Sequence, residues 1–173
     1  MFKKCYGGIM ESQSEVYTRP EPIVELPEAV FNRLRGEITP QPVNEAVRLS
    51  TVDAEGWPHA AQLSLGEVFA VDRQTLRVAL WPDSHTSENL RRDGRLSVAL
   101  AYDKGIIEMR GRAIQIAENE TDLKLAVFEI DIGNIMVHRS DYAEVATGVT
   151  FKLHDPEKVA ARWKAQRHAL SSL

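Results

Sequence analysis

Residues 47 to 59 read Val47-Arg48-Leu49-Ser50-Thr51-Val52-Asp53-Ala54-Glu55-Gly56-Trp57-Pro58-His59. Apolar and polar residues alternate toward Val52, the period of a half-buried strand. Asp53 to Gly56 then predicts a hairpin, because glycine supplies the positive φ that closes such a turn. The first strand is expected over Ala46 to Val52. Its partner is expected from His59 to Val71, with a bulge or bend at Gly66. Asp72-Arg73-Gln74 turns the chain into a third strand, Thr75 to Trp81, which Pro82-Asp83-Ser84 stops. Arg95 to Tyr102 reads as a fourth strand and Asp103-Lys104-Gly105 as a tight turn. Ile106 to Ala117 reads as a fifth, with a second bend at Gly111.

Helical signals frame this ribbon. Leu26-Pro27-Glu28 opens a helix with Val30, Phe31 and Leu34 at helical spacing, and Gly36 ends it. Thr39 to Pro42 is a stiff connector. Ser84 or Thr86 is suited to cap a short helix through about Arg92. Asn119 is expected to cap another through about Glu129, with Leu123, Val127 and Ile130 facing inward. Residues 131 to 146 read as loops around a short apolar strip, and Val149 to Leu153 as the last strand. Asp155-Pro156-Glu157 starts a C-terminal helix carrying Val159, Trp163 and Gln166 on one face, flanked by Ala160 and Arg167. Residues 1 to 25, with Glu and Ser frequent and Pro20, Pro22 and Pro27 breaking helix, predict a flexible segment before one domain at 26 to 173.

Strands in hairpin order exclude a parallel sheet, which needs long crossovers throughout. Glycine bends let long strands curl, and closure hides their edges. The expected architecture is mainly β with peripheral helices, a six-stranded antiparallel barrel.

The chain has 173 residues, 43% of them hydrophobic, enough for one buried core. A net charge of -4 removes any general attraction to nucleic acid or anionic membranes. No apolar run approaches the ~20 residues that span a bilayer. The single cysteine, Cys5, has no internal disulfide partner, and a cytoplasmic location is expected. His85 and Glu88 share a helix face but lack a third ligand nearby, so no metal is expected. No nucleophile–base pair or acid pair stands at convincing spacing.

The opening stretch resembles the LATVD-x-x-G-x-P start of pyridoxamine-phosphate-oxidase-like split barrels. Ser84-His85-Thr86-Ser87-Glu88-Asn89-Leu90, followed by Asp93-Gly94-Arg95-Leu96-Ser97-Val98, is similar to that family's S-R-K-x-x-x-L-x-x-N-P-x-V-S-L block. Met109-Arg110-Gly111-Arg112-Ala113 resembles its V-x-G-x-A strand. The blocks keep the family's order over roughly residues 46 to 117.

The resemblance implies a homodimeric split barrel with FMN in a cleft between subunits. It implies a flavin phosphate held by basic residues on the second strand and by the turn before the short helix. Here Ala61 and Gly66 stand at the family's phosphate-binding Arg and Lys. His85 and Thr86 stand at the turn's Arg and Lys, and Ile106 at a flavin-contacting Gln; Ser84 matches. The cofactor-binding set so implied is Ser64, Trp81, Ser84, His85, Thr86 and Ser87, with Arg91, Arg92 or Arg48 as replacement charges. The lost cations argue against true pyridoxamine-phosphate oxidase activity. Two readings follow. One is an FMN-binding oxidoreductase of unknown substrate, with a deazaflavin as a variant cofactor. The other is a non-catalytic dimeric ligand-binding or stress-related module without tightly bound flavin. Trp81 either stacks on the flavin or caps the core, Trp57 packs in the turn or a dimer, and Trp163 belongs to the core. Glu67 is either buried at a dimer seam or exposed, and Arg110 and Arg112 share a strand face.

Overall fold

The computed structural model describes residues 20–36, 45–118 and 124–173. The hairpin that opens the sheet forms as its residues dictate. Strand β1 (Val47–Val52) pairs antiparallel with β2 (Pro58–Leu63), from Val47 opposite Leu63 to Val52 opposite Pro58. The Asp53 carboxylate accepts the Glu55 and Trp57 amides at 3.1 and 2.7 Å, and Gly56 takes φ +88°. The other strands are β3 (Val68–Ala70), β4 (Thr75–Leu80), β5 (Arg95–Tyr102), β6 (Gly105–Glu118) and β7 (Ala126–His138). Helices α1 (Glu28–Arg35), α2 (His85–Arg92) and α3 (Pro156–Ser172) lie around them. Asp155 caps α3 by accepting the Lys158 amide, with Pro156 in its first turn.

The strand order is β2-β1-β5-β6-β7-β4-β3, antiparallel throughout. This order forces curvature. Leu63 and Val68 end on opposite edges of the sheet, yet five residues of chain reach at most ~18 Å. Seven strands laid flat would be ~29 Å across. The sheet therefore curls until its two edges face each other, and the result is a split barrel. Gly111 assists at the register shift between Arg110 and Gly111, where a Cβ would overlap the Asp131 carbonyl oxygen. Leu49, Leu76, Ile107, Met109, Phe128, Ile130 and Ile135 are sealed inside. Leu26, Val30 and Leu34 of the α1 segment and Trp163 of α3 join the same core. Ile23 bridges to Ile135 and holds the segment before α1 against β7.

The sheet has seven strands where six were expected, and three local differences account for it. The long second strand breaks after Leu63 into a 3-10 turn, Leu65–Glu67. Ser64 caps that turn, and the Glu67 carboxylate accepts from both the Ser64 amide and hydroxyl, at 2.7 and 2.8 Å. The helix expected through Glu129 gives way to β7 from Ala126 onward. Val127 packs with Leu170 in a second cluster under α3, while Phe128 enters the main core. A strand covered on both faces loses the alternation that marks strands in sequence. Lastly, Val149 to Leu153 forms no strand: one bridge joins Thr150 to Glu45, and the Ala46 amide donates to the Val149 carbonyl. The connector over 39 to 42, Cys5, and the Asn119 cap lie outside the described residues.

Candidate functional site

The turn between β4 and α2 is knotted by hydroxyls. The Trp81 carbonyl accepts from the Ser84 amide at 3.1 Å, and from the hydroxyls of Ser84 and Ser87 at 2.8 and 2.7 Å. The Ser84 oxygen in turn caps α2 by accepting the Ser87 amide at 3.2 Å. Ser84 and Ser87 are thus occupied in building the turn, and Ser87 is completely buried. What the turn presents is the pair of amides next along, those of His85 and Thr86. The first positions of a helix have no intrahelical acceptor, and their dipoles attract anions.

Side chains gather around those amides. The Thr86 hydroxyl lies 3.3 Å from Nε2 of His59, which projects from edge strand β2. The imidazoles of His59 and His85 lie 6.0 Å apart. His85 is mostly exposed and stands 3.7 Å from the Glu88 carboxylate, a contact that draws charge only when the ring is protonated. Below them Asn89 donates to the buried Thr51 hydroxyl at 3.0 Å and accepts from Arg92 at 3.2 Å, fastening α2 to β1.

The expected site residues fall into separate places. Trp81, Ser84, His85, Thr86 and Ser87 share the turn. Ser64 is buried on the 3-10 turn, with its hydroxyl committed to Glu67. Glu67 is accordingly a partner of Ser64. Trp81 does not cap the core: it is 59% exposed, and Arg162 of α3 lies over its ring at 5.6 Å. Trp57 is exposed at the hairpin tip and Trp163 is buried. Arg91 and Arg92, named as replacement charges for the turn, both have protein acceptors. Arg91 reaches Gln115, Glu118 and the Pro82 carbonyl, and Arg92 reaches Asn89 and the Val52 carbonyl. At that end of α2, Asp93 grips Arg95, whose guanidinium holds the Asp93 carboxyl down at about 2.

A shallow groove of about 300 Å³ crosses the outer face of β1, β5 and β6, lined by Ser50, Pro58, Arg95, Ser97 and Arg110 among others. Glu108, also in its lining, bonds Arg110 at 2.9 Å and stands 3.3 Å from His138. The hydrogen bond from Arg110 is the main cause that keeps the Glu108 carboxyl below its ordinary range, with His138 adding to it against partial burial. Among the described residues no group of His, Cys, Asp and Glu is placed to hold a metal ion. Among them, too, no helix is long and apolar enough to cross a membrane.

A sequence profile of the family described as Pyridoxamine 5'-phosphate oxidase matches residues 41–160. The chain belongs to this family. An uncharacterised Bacillus subtilis relative, YclD, is 33% identical over 140 residues, spanning 78% of this chain and 88% of its own. The structure of HupZ from Group A Streptococcus matches with a TM-score of 0.53 at 18% identity, over 70% of this chain and 100% of that one. A Lactobacillus delbrueckii structure named for pyridoxamine 5'-phosphate oxidase matches at a TM-score of 0.50 and 19% identity, over 65% and 93% of the two chains. These two structural likenesses speak for the fold alone.

Within this member of the pyridoxamine 5'-phosphate oxidase family, three residues joined the site without being picked from sequence. His59 read as a strand-face residue; its pairing with Thr86 comes from the curl that carries β2 to α2. Asn89 stood in the block that resembles the family but was given no role, and Arg162 gave no signal, since a polar residue on a helix names no partner. The donor set suits a phosphate end group: two helix amides, the Thr86 hydroxyl and two imidazoles. Among the described residues no guanidinium or ammonium group belongs to that donor set, Arg162 being stacked over the Trp81 ring.

Proposed function

We propose that the protein is an FMN-binding oxidoreductase of its family, with the flavin phosphate seated at the start of α2. The observation that carries this reading is the pair of acceptor-free amides at His85 and Thr86, flanked by the Thr86–His59 contact. When bound, the flavin supplies the redox chemistry, and the protein supplies position and polarity. Ser84 and Ser87 keep the two amides aimed by tying the turn to the Trp81 carbonyl. His59 fixes the Thr86 hydroxyl, and Asn89 holds α2 against β1 so that the cradle stays rigid. The substrate is left open, and a deazaflavin is a variant of the same reading.

The protein is further proposed to work as a homodimer in the cytoplasm, with the outer face of β1, β5 and β6 turned toward a second copy. Small residues there, Ser50 opposite Ser97 and Ala99 on β5, allow a close approach.

A second reading has its own support. A non-catalytic ligand-binding module is favoured by the absence of cations in the donor set and by the internal use of the Ser84 and Ser87 hydroxyls. The visible spectrum of the purified protein and an FMN titration separate the two. A yellow chromophore, or saturable binding at micromolar FMN, is expected. A colourless protein that ignores micromolar FMN would leave the module reading.

A further inference from the structure

A second cavity, of about 480 Å³, lies between the C-terminal end of α1, β3 and α3. Arg35, Phe69, Lys164, Arg167 and His168 line it, and none of them belongs to the α2 turn. The lining carries three permanent cations and a titratable imidazole, and no carboxylate among the described residues. That is notable on a chain whose net charge is -4.

The two guanidiniums are held in place by neutral groups. Arg167 is buried, and it donates to the Leu65, Gly36 and Arg33 carbonyls at 2.5 to 3.2 Å. Arg35 lies 5.5 Å over the Phe69 ring and donates to the Ala70 and Val71 carbonyls. Lys164 and His168 stand four residues apart on α3 and so face the same side. Among the described residues none of the four makes an ion pair. Like charges gathered without a counter-ion repel, and burial of Arg167 strengthens that repulsion by lowering the local dielectric. An anion relieves it. Phe69, itself buried, adds an apolar wall beside the charges.

We propose that this cavity binds a small organic phosphate with a flat apolar body. Convergence of three cations and an imidazole selects a dianion over a monocarboxylate, and the Phe69 wall takes the body. The proposal stands apart from the flavin reading, because the two sites share no residue.

The full chain is titrated with phenyl phosphate, followed by calorimetry and by the histidine ring NMR signals, with His168 assigned through His168→Gln. The His168 signals are expected to move. Lys164→Glu, an exposed position that should leave the fold intact, is expected to weaken binding about tenfold, while Thr86→Ala leaves it unchanged. Inorganic phosphate is expected to bind more weakly than phenyl phosphate. Stationary His168 signals at millimolar phenyl phosphate overturn the proposal. Binding lost in Thr86→Ala but kept in Lys164→Glu overturns it too, by moving the ligand to the α2 turn. Glu37 follows Gly36 in the sequence and lies outside the described residues. If binding appears only in Glu37→Gln, the counter-charge is internal and the proposal falls.

Discussion

Single side chains set the chemistry at three points. Thr86 and His59 shape the proposed phosphate cradle, so Thr86→Ala removes one donor and frees the ring. The expected result is FMN affinity about three- to tenfold weaker, read by fluorescence titration, with the melting temperature little changed. Glu108 governs an acid response. Its carboxyl is held below the ordinary glutamate range mainly by Arg110, so its contribution is present at neutral pH. That contribution is lost as pH falls through the lowered value. Wild type should therefore lose more stability than Glu108→Gln between about pH 5 and pH 3 in urea unfolding. Arg167 is the opposite case, a buried cation whose burial brings its pKa down to about 10. It ties α3 to the end of α1 and to the 3-10 turn through carbonyls alone. Arg167→Met strands those acceptors and is expected to cost about 2–4 kcal/mol in chemical denaturation. Arg167→Lys, lacking the planar fork, should recover little of it.

Elements were legible where their own residues carry the signal. The β1–β2 hairpin, α2 with its Ser84 cap, β5, β6 and the Asp155-Pro156 start of α3 all form close to where turn and capping chemistry put them. Those signals are local, and no distant contact competes with them. Gly66 was read as a bend, and the bend is a 3-10 turn against α3, where a Cβ would overlap the Trp163 side chain. Gly66→Ala must push α3 away, and it is expected to cost about 1–3 kcal/mol with a lowered melting temperature by calorimetry. β7 was missed because Val127 and Phe128 are buried on opposite faces. The short strand at Val149 to Leu153 failed for the converse reason: among the described residues it has one bridge, from Thr150 to Glu45, and β-forming residues with so little to pair with do not make a strand.

At the level of the molecule, closure brings together what the chain separates. The 3-10 turn joins the two outermost strands, and that single short link obliges the sheet to curl. The same curl sets His59 against Thr86, 27 positions apart. The proposed dimer is tested at this scale by sedimentation. Wild type is expected at twice the chain mass. Ser97→Arg, placed on the outer face opposite Ser50, is expected to shift it to the monomer and to weaken FMN binding in parallel. A monomeric wild type that still binds FMN would remove the second copy from the site.

The sequence by itself determined an antiparallel, glycine-bent barrel of this family and the turn where a helix starts after Trp81, because turn residues, caps and strand alternation act over a few neighbours. Only the tertiary structure decided which hydroxyls are spent inside that turn, that His59 stands beside it, and that four basic side chains line one cavity between α1, β3 and α3. Those outcomes depend on which distant segments the curl brings within hydrogen-bond reach, and no local pattern encodes that distance.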